Sequence, residues 1–156
     1  MRPLVLILTL VATSAAAQAR LTEAGVRAFL ARQEKAWNAR DVDAYFATFT
    51  PDAVIADQAR TADGAIVPYG QSNLRQARAQ TRRFFAKSTV SEVNEVLRVA
   101  LAPDGRSARA VSREISRITT AGRVRTLCGE SVVTLVLARG QIRASHQTDT
   151  VIRCPR

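Results

Sequence analysis

The chain predicts a single α+β domain: three helices followed by a mainly antiparallel, strongly curved sheet. Three observations carry this. Helical periodicity recurs three times before residue 86, every periodic segment after it alternates as strands do, and the breaks between those segments are hairpin turns. With 156 residues there is enough chain to bury one real core.

Residues 1–19 read as a leader, not as part of that domain. Met1-Arg2-Pro3 is a short positive start and residues 4–12 are apolar. Ala15-Ala16-Ala17 or Ala17-Gln18-Ala19 then supplies small residues for cleavage. The apolar run is shorter than the roughly 20 residues that span a bilayer, so a secretion signal is expected and no integral membrane segment after it is removed. The domain is 20–156, and the location expected is periplasmic or secreted.

Thr22 can cap a first helix reaching about Asn38, with Val26, Phe29, Leu30, Gln33 and Trp37 on one face. A tight turn at 38–41 leads to Asp41, which caps a second helix bearing Val42, Tyr45, Phe46 and Phe49. Pro51-Asp52 stops that helix. Residues 53–57 are short and extended, and 58–70 read as a loop broken at Asp63-Gly64 and Tyr69-Gly70. A third helix starts at Gln71 or Ser72 and runs to about Phe85, with an apolar face of Leu74, Ala77, Thr81, Phe84 and Phe85. Its four arginines (75, 78, 82, 83) read as a solvated face.

Four strands follow, at 88–101, 107–119, 124–138 and 141–153. They are joined at Pro103-Asp104-Gly105, Ala121-Gly122 and Arg139-Gly140. In 107–119 the even row is Ala108, Ala110, Ser112, Glu114, Ser116 and Ile118, while three arginines share the odd row. Alternation therefore turns the small row, and Glu114 with it, toward the helices. On the last strand Ile142, Ala144, His146, Thr148 and Thr150 fall together, which assigns His146 inward. Small side chains under helices leave space for a pocket.

Cys128 and Cys154 lie on neighbouring strands, and an oxidising compartment permits a bridge between them. A tight turn at 138–141 would set Cys128 opposite Val151, so a bulge or a longer turn is required to bring Cys154 near. Two cysteines and one distant histidine are too few for a metal site, and no phosphate loop or serine–histidine–acid spacing marks a cofactor or a nucleophile. The net charge is +10, almost all of it arginine scattered along the elements, with Lys35 and Lys87 the only lysines. Scattered charge of this kind reads as a solvated surface, and nucleic acid is not expected as partner.

The segment AWNARDVDAYFATFTPDAVIAD resembles the N-terminal signature of the nuclear transport factor 2-like superfamily, which includes SnoaL-like polyketide cyclases and ketosteroid isomerases. There a helix ends on an aromatic, an Asn/Gly-Asp turn follows, a second helix carries aromatics, and Asp-Ala opens a strand. The later order of elements is similar over residues 22–153. The resemblance implies a cone-shaped fold with a cavity between the bent sheet and the helices. It sets Asp57 at the place of a catalytic acid–base aspartate, where an apolar surrounding raises a carboxyl pKa. It also sets Gln33 and Ser131 where the isomerases carry the donors for their enolate oxygen. That departure argues against steroid isomerisation.

The expectation is an exported protein binding a small apolar or aromatic molecule. Gln33, Trp37, Tyr69, Glu114 and Ser131 would line its pocket. Glu114 is expected to pair with an arginine, because a buried carboxylate without a cation is costly. One alternative is a proton-transfer enzyme (an isomerase, cyclase or dehydratase) using Asp57 with His146. Another is an interaction module that forms a homodimer through its exposed sheet face.

Overall fold

The computed structural model describes residues 20–155, so the expected leader lies outside the described residues. Helix α1 is Glu23–Asn38 and α2 is Val42–Phe46. Strands β1 (Phe49–Arg60) and β2 (Ile66–Asn73) follow, then α3 (Leu74–Lys87). The chain ends in β3 (Ser88–Leu101), β4 (Ser107–Thr120), β5 (Arg123–Ala138) and β6 (Gln141–Ile152). The six strands form one sheet in the order β2-β1-β6-β5-β4-β3, antiparallel except where β1 runs parallel to β6. The sheet is curled and open, with the helices packed on it. Helix α3, a rod of about 21 Å, joins edge strand β2 directly to edge strand β3 and contacts both.

The helix starts follow the capping chemistry. Thr22 accepts from the Gly25 amide and Asp41 from the Ala44 amide. Asn73 and Gln76 complete a reciprocal capping box, so α3 begins two or three residues later than Gln71 or Ser72. Between α1 and α2, Arg40 sits at φ 58°, a region that disfavours side chains. Its guanidinium compensates by bonding the Phe85 carbonyl and lying 5.7 Å over that ring.

Two local expectations are corrected. Helix α2 ends at Phe46, and Phe49 already opens β1, which continues through Pro51. The proline is tolerated because the β1–β6 pairing is irregular between Phe49 and Val54, so no ladder bond is required of it. Residues 66–70, expected as loop, are strand: β2 pairs with β1 from Ile66↔Arg60 to Asn73↔Val54. Only 61–65 turn.

Both two-residue hairpins place their turn residues at positive φ (Ala121 48°, Gly122 75°; Arg139 51°, Gly140 75°), the geometry whose twist matches that of the strands. The β5–β6 turn is tight, pairing Ala138 with Gln141, and the register shifts by one at Ser145. Beyond that bulge Cys128 stands opposite Ile152, and the Cys128–Cys154 disulfide closes with 5.1 Å between Cα atoms. The bulge demanded by the cysteines is therefore present.

The core divides in two. The larger cluster includes Val26, Phe29, Phe46, Phe49, Ala110, Leu135 and Ala144. A smaller one gathers Phe85, Val90 and Ile118, with Trp37 and Phe84 against it. Three arginines of α3 (75, 82 and 83) are exposed as expected, whereas Arg78 is partly buried and lies 5.9 Å over the Phe46 ring; Arg82 and Arg78 reach Asp43 on α2 at 2.8 and 3.9 Å.

The disulfide bridges 26 residues. Replacing both cysteines by serine should cost about 3 kcal/mol of unfolding free energy, measured by urea denaturation without reductant. An unchanged midpoint would show that the bridge adds nothing to the fold.

Candidate functional site

Between the two apolar clusters the inner face of the sheet becomes polar. One row of paired residues crosses all six strands: Val96, Ser112, Ser131, Asp149, Asp57 and Gly70. The row beside it holds Asn94, Glu114 and Gly129, and the next pairs Glu92 with Ser116. Gly70 gives the Asp57 carboxyl room that a side chain would take, whereas a side chain at Gly129 would meet Glu114 at ordinary contact distance. A Cβ on Gly70 would stand 3.1 Å from Asp57 Oδ2, and one on Gly129 would stand 3.5 Å from Glu114 Oε2.

Two chambers lie under the helices. The first, about 160 Å³, has Glu92, Asn94, Ser112, Glu114 and Ser131 in its wall. The second, about 150 Å³, has Asp57, Ile55, Ser72 and Ala77. Trp37, Tyr45, Gln147 and Asp149 border both. That shared wall is hydrogen-bonded: Ser131 Oγ donates to Asp149 Oδ1 at 2.7 Å, and Gln147 Nε2 donates to the same carboxylate at 2.8 and 3.1 Å. The Tyr45 hydroxyl lies 3.4 Å from Gln147 Oε1. At the top, Gln33 Nε2 donates to Thr48 Oγ1 at 2.8 Å.

Burial pushes all four carboxyls up. Glu114 rises to about 9, through desolvation first and then through Asp149 and Glu92. Asp149 rises to about 6 by desolvation, which outweighs the bonds from Ser131 and Gln147. Asp57 and Glu92 are raised by desolvation as well. A serine hydroxyl carries one hydrogen. Ser131 gives it to Asp149, so Glu114 is left without that donor. Asp149 and Glu114 thus titrate as an interacting pair, holding one proton between them over the neutral range. Desolvation also lifts the Tyr45 phenol well above its ordinary 10.0, which keeps it a neutral donor.

The placement of the expected residues is mixed. Asp57, Gln33, Trp37, Glu114 and Ser131 face the chambers. His146 does not: it is exposed on the outer face, near Thr148 Oγ1 at 3.1 Å. The Ser145 bulge is the cause, since one extra residue flips every side chain beyond it. Ala144 keeps its inward place, and Gln147 and Asp149 take those assigned to His146 and Thr148. Tyr69 is 62% exposed and off the wall, because residues 66–70 run out along edge strand β2. Nor does an arginine pair with Glu114. Among the described residues no salt bridge involves Glu92, Glu114, Asp149 or Asp57. The chamber is therefore polar and acidic, not largely apolar. Among the described residues no group of His, Cys, Asp or Glu side chains is placed to hold a metal ion.

No family model and no curated protein matches the sequence. Solved structures do. A ketosteroid isomerase-like protein from Erwinia carotovora atroseptica is 16% identical with a TM-score of 0.68, over 84% of this chain and 96% of its own. ActVI-ORFA from Streptomyces coelicolor is 19% identical at 0.61, over 82% and 95%. The β subunit of the benzoate 1,2-dioxygenase from Burkholderia mallei is 14% identical at 0.64, over 84% and 91%. The chain therefore has the nuclear transport factor 2-like fold, as its N-terminal signature implied. Likeness at this identity extends to the fold alone.

Carboxyls whose folded pKa is raised stabilise the protein below their ordinary values and lose that contribution as pH climbs through the folded ones. For Glu114 the window runs from 4.5 to about 9 and for Asp149 from 3.8 to about 6. The unliganded protein should melt at a higher temperature at pH about 5 than at pH about 9. Glu114→Gln, neutral at both, should flatten the difference. A wild-type profile level across this range would contradict the burial of the pair.

Proposed function

We propose that the protein is an exported small-molecule receptor that holds its ligand in the Glu114–Asp149 chamber. The observation that carries this reading is the chamber itself: a space of about 160 Å³ walled by carboxyls that, among the described residues, form no salt bridge. Buried polar groups are ordinarily partnered, and a group left open toward a cavity is matched by what enters it. A cavity of about 150 Å³ accommodates benzene, so the ligand is small. Its contacts are polar on the sheet side and aromatic where Trp37 and Tyr45 form the wall. Export is supported by the leader-like residues 1–19 and by the disulfide, which suits an oxidising compartment. Among the described residues no helix is long and apolar enough to cross a membrane.

A second reading is proton-transfer catalysis, favoured by two carboxyls in the wall of one chamber, Asp149 and Glu114, both raised above their ordinary values by desolvation. Near neutral pH one of the pair carries the proton while the other can accept one, both on the inner face of the sheet with β5 between them. Asp57, in the adjoining chamber, would serve Asp149 as a neighbouring charge. His146 has no part in it. Pairing of two copies through the sheet is supported by Val93 and Ile115, cross-strand neighbours on the outer face that are 65% and 47% exposed.

Filling the chamber tests the receptor reading. Ser112 is buried in its wall, and Ser112→Leu should remove the space while leaving a folded protein, checked by its circular dichroism. Compounds of about benzene size that raise the melting temperature of the wild type should fail to raise that of the variant. Equal shifts in both proteins, or none in either, would reject the chamber as the binding site. Light scattering on the mature chain should return a dimer mass, reduced to a monomer by Ile115→Glu.

A further inference from the structure

We propose that the ligand class of this chamber is a small organic cation with N–H donors, an amidinium, guanidinium or primary ammonium, and that its binding expels a proton from the carboxyl wall. The inference deepens the receptor reading and rests on it. Its first support is a contrast of charge. The chain carries 23 lysines and arginines, yet among the described residues none of them pairs with the carboxyls of Glu92, Glu114 and Asp149, which gather in one chamber. Arg27 reaches the rim, but it is spent on Glu23 and on the Val96 carbonyl at 3.0 Å.

A second, independent support comes from a neutral group. Asn94 borders the same chamber; its Nδ2 donates to Glu92, while its Oδ1 is buried without any partner. An unpartnered acceptor beside three carboxyls adds to a wall rich in hydrogen-bond acceptors, which a molecule that brings hydrogens would match. The aromatic wall fits the same chemistry. Trp37 and Tyr45, 5.1 Å apart, offer ring faces to a cation. The Trp37 indole N–H, which lacks a hydrogen-bond partner of its own, favours the charged form of the Glu92 carboxyl.

The proton release follows from electrostatics. Facing Glu114 are Glu92 on β3, Asp149 on β6, Asp57 beyond it on β1, Glu34 and Arg27 on α1, and the Tyr45 phenol on α2. Desolvation and the neighbouring carboxylates keep Glu114 protonated at neutral pH. A bound cation supplies the missing opposite charge, favours the ionised form and drives the proton into solvent. Affinity therefore rises with pH from about 6 to about 8.5, below the folded value of about 9. An anion would meet the reverse penalty.

Matched probes test this: benzamidinium against benzamide and benzoate, and the smaller acetamidinium against acetamide and acetate, so that charge changes while shape is held. Calorimetric titrations of the full mature protein at pH about 6 and 8.5, each in two buffers of different ionisation enthalpy, count the protons released. The cations should bind roughly tenfold or more tighter than their amides, tighten with pH, and release a fraction of a proton. The carboxylates should not bind. Glu114→Gln should still bind the cations, more weakly, with the proton release gone, and Ser112→Leu should lose them. Amides binding as well as amidiniums would overturn the cation inference while leaving the receptor reading intact. Cation binding undiminished in Ser112→Leu would place it elsewhere on the surface and overturn it too. Silence from every probe, together with silence from the wider compound panel, would reject both readings.

Discussion

One residue held out of the ladder governs the site. Ser145 has no partner on β5, and its hydroxyl turns back to the Thr134 carbonyl at 3.3 Å. On the turn side of it, Ala144 faces the large apolar cluster opposite Leu135. On the other side, Gln147 and Asp149 face the chambers, opposite Val133 and Ser131. Without the extra residue β6 would present His146 and Thr148 to the interior, and Asp149 would lie in water. The same offset carries Cys154 within reach of Cys128. The disulfide and the acidic wall are therefore two outcomes of one local irregularity, and the bond fixes the far end of the offset strand.

The site is costly to maintain. Four carboxyls between two apolar clusters repel one another and are largely desolvated, and among the described residues only Asp149 and Glu92 receive hydrogen bonds from side chains around them. A core chosen for stability alone would place apolar residues along Ser112, Ser131 and Asp149, joining the clusters into one. Instead, a serine ladder and Gly70 hold the space open. The energy to keep it so comes from elsewhere: long hairpins with well-matched turns, three capped helices, and the bridge at the end of β6.

Most of the architecture was legible in the sequence, because helical and strand periods differ sharply and the turns are marked by glycine. The four long strands and the inward row of β4 lie where alternation puts them. Misreadings cluster at irregularities. Pro51 read as a break, yet it sits where β1 is locally unpaired; residues 66–70 carry Pro68 and Gly70, turn residues that an edge strand tolerates. Glu114 was found by alternation alone. Asp149 was missed, although a signal existed: the cysteine spacing already required a bulge or a longer turn in the last hairpin. Carried through to facing, that shift sends His146 out and Asp149 in, provided the bulge precedes residue 146, and nothing in the residues from 141 to 146 marks the place. Tyr69 failed differently, since exposure at a sheet edge is set by its neighbours, not by its own character.

The partition between the chambers has a consequence for how they work. Asp149 belongs to both, and the Tyr45–Gln147 pair that orients it stands in both. Whatever alters the charge of that carboxylate from one side alters what the other side experiences. Were molecules to occupy both compartments, each would shift the affinity of the other by the same factor. A single hollow would be one electrostatic environment; an ionisable partition makes two whose charges are not independent.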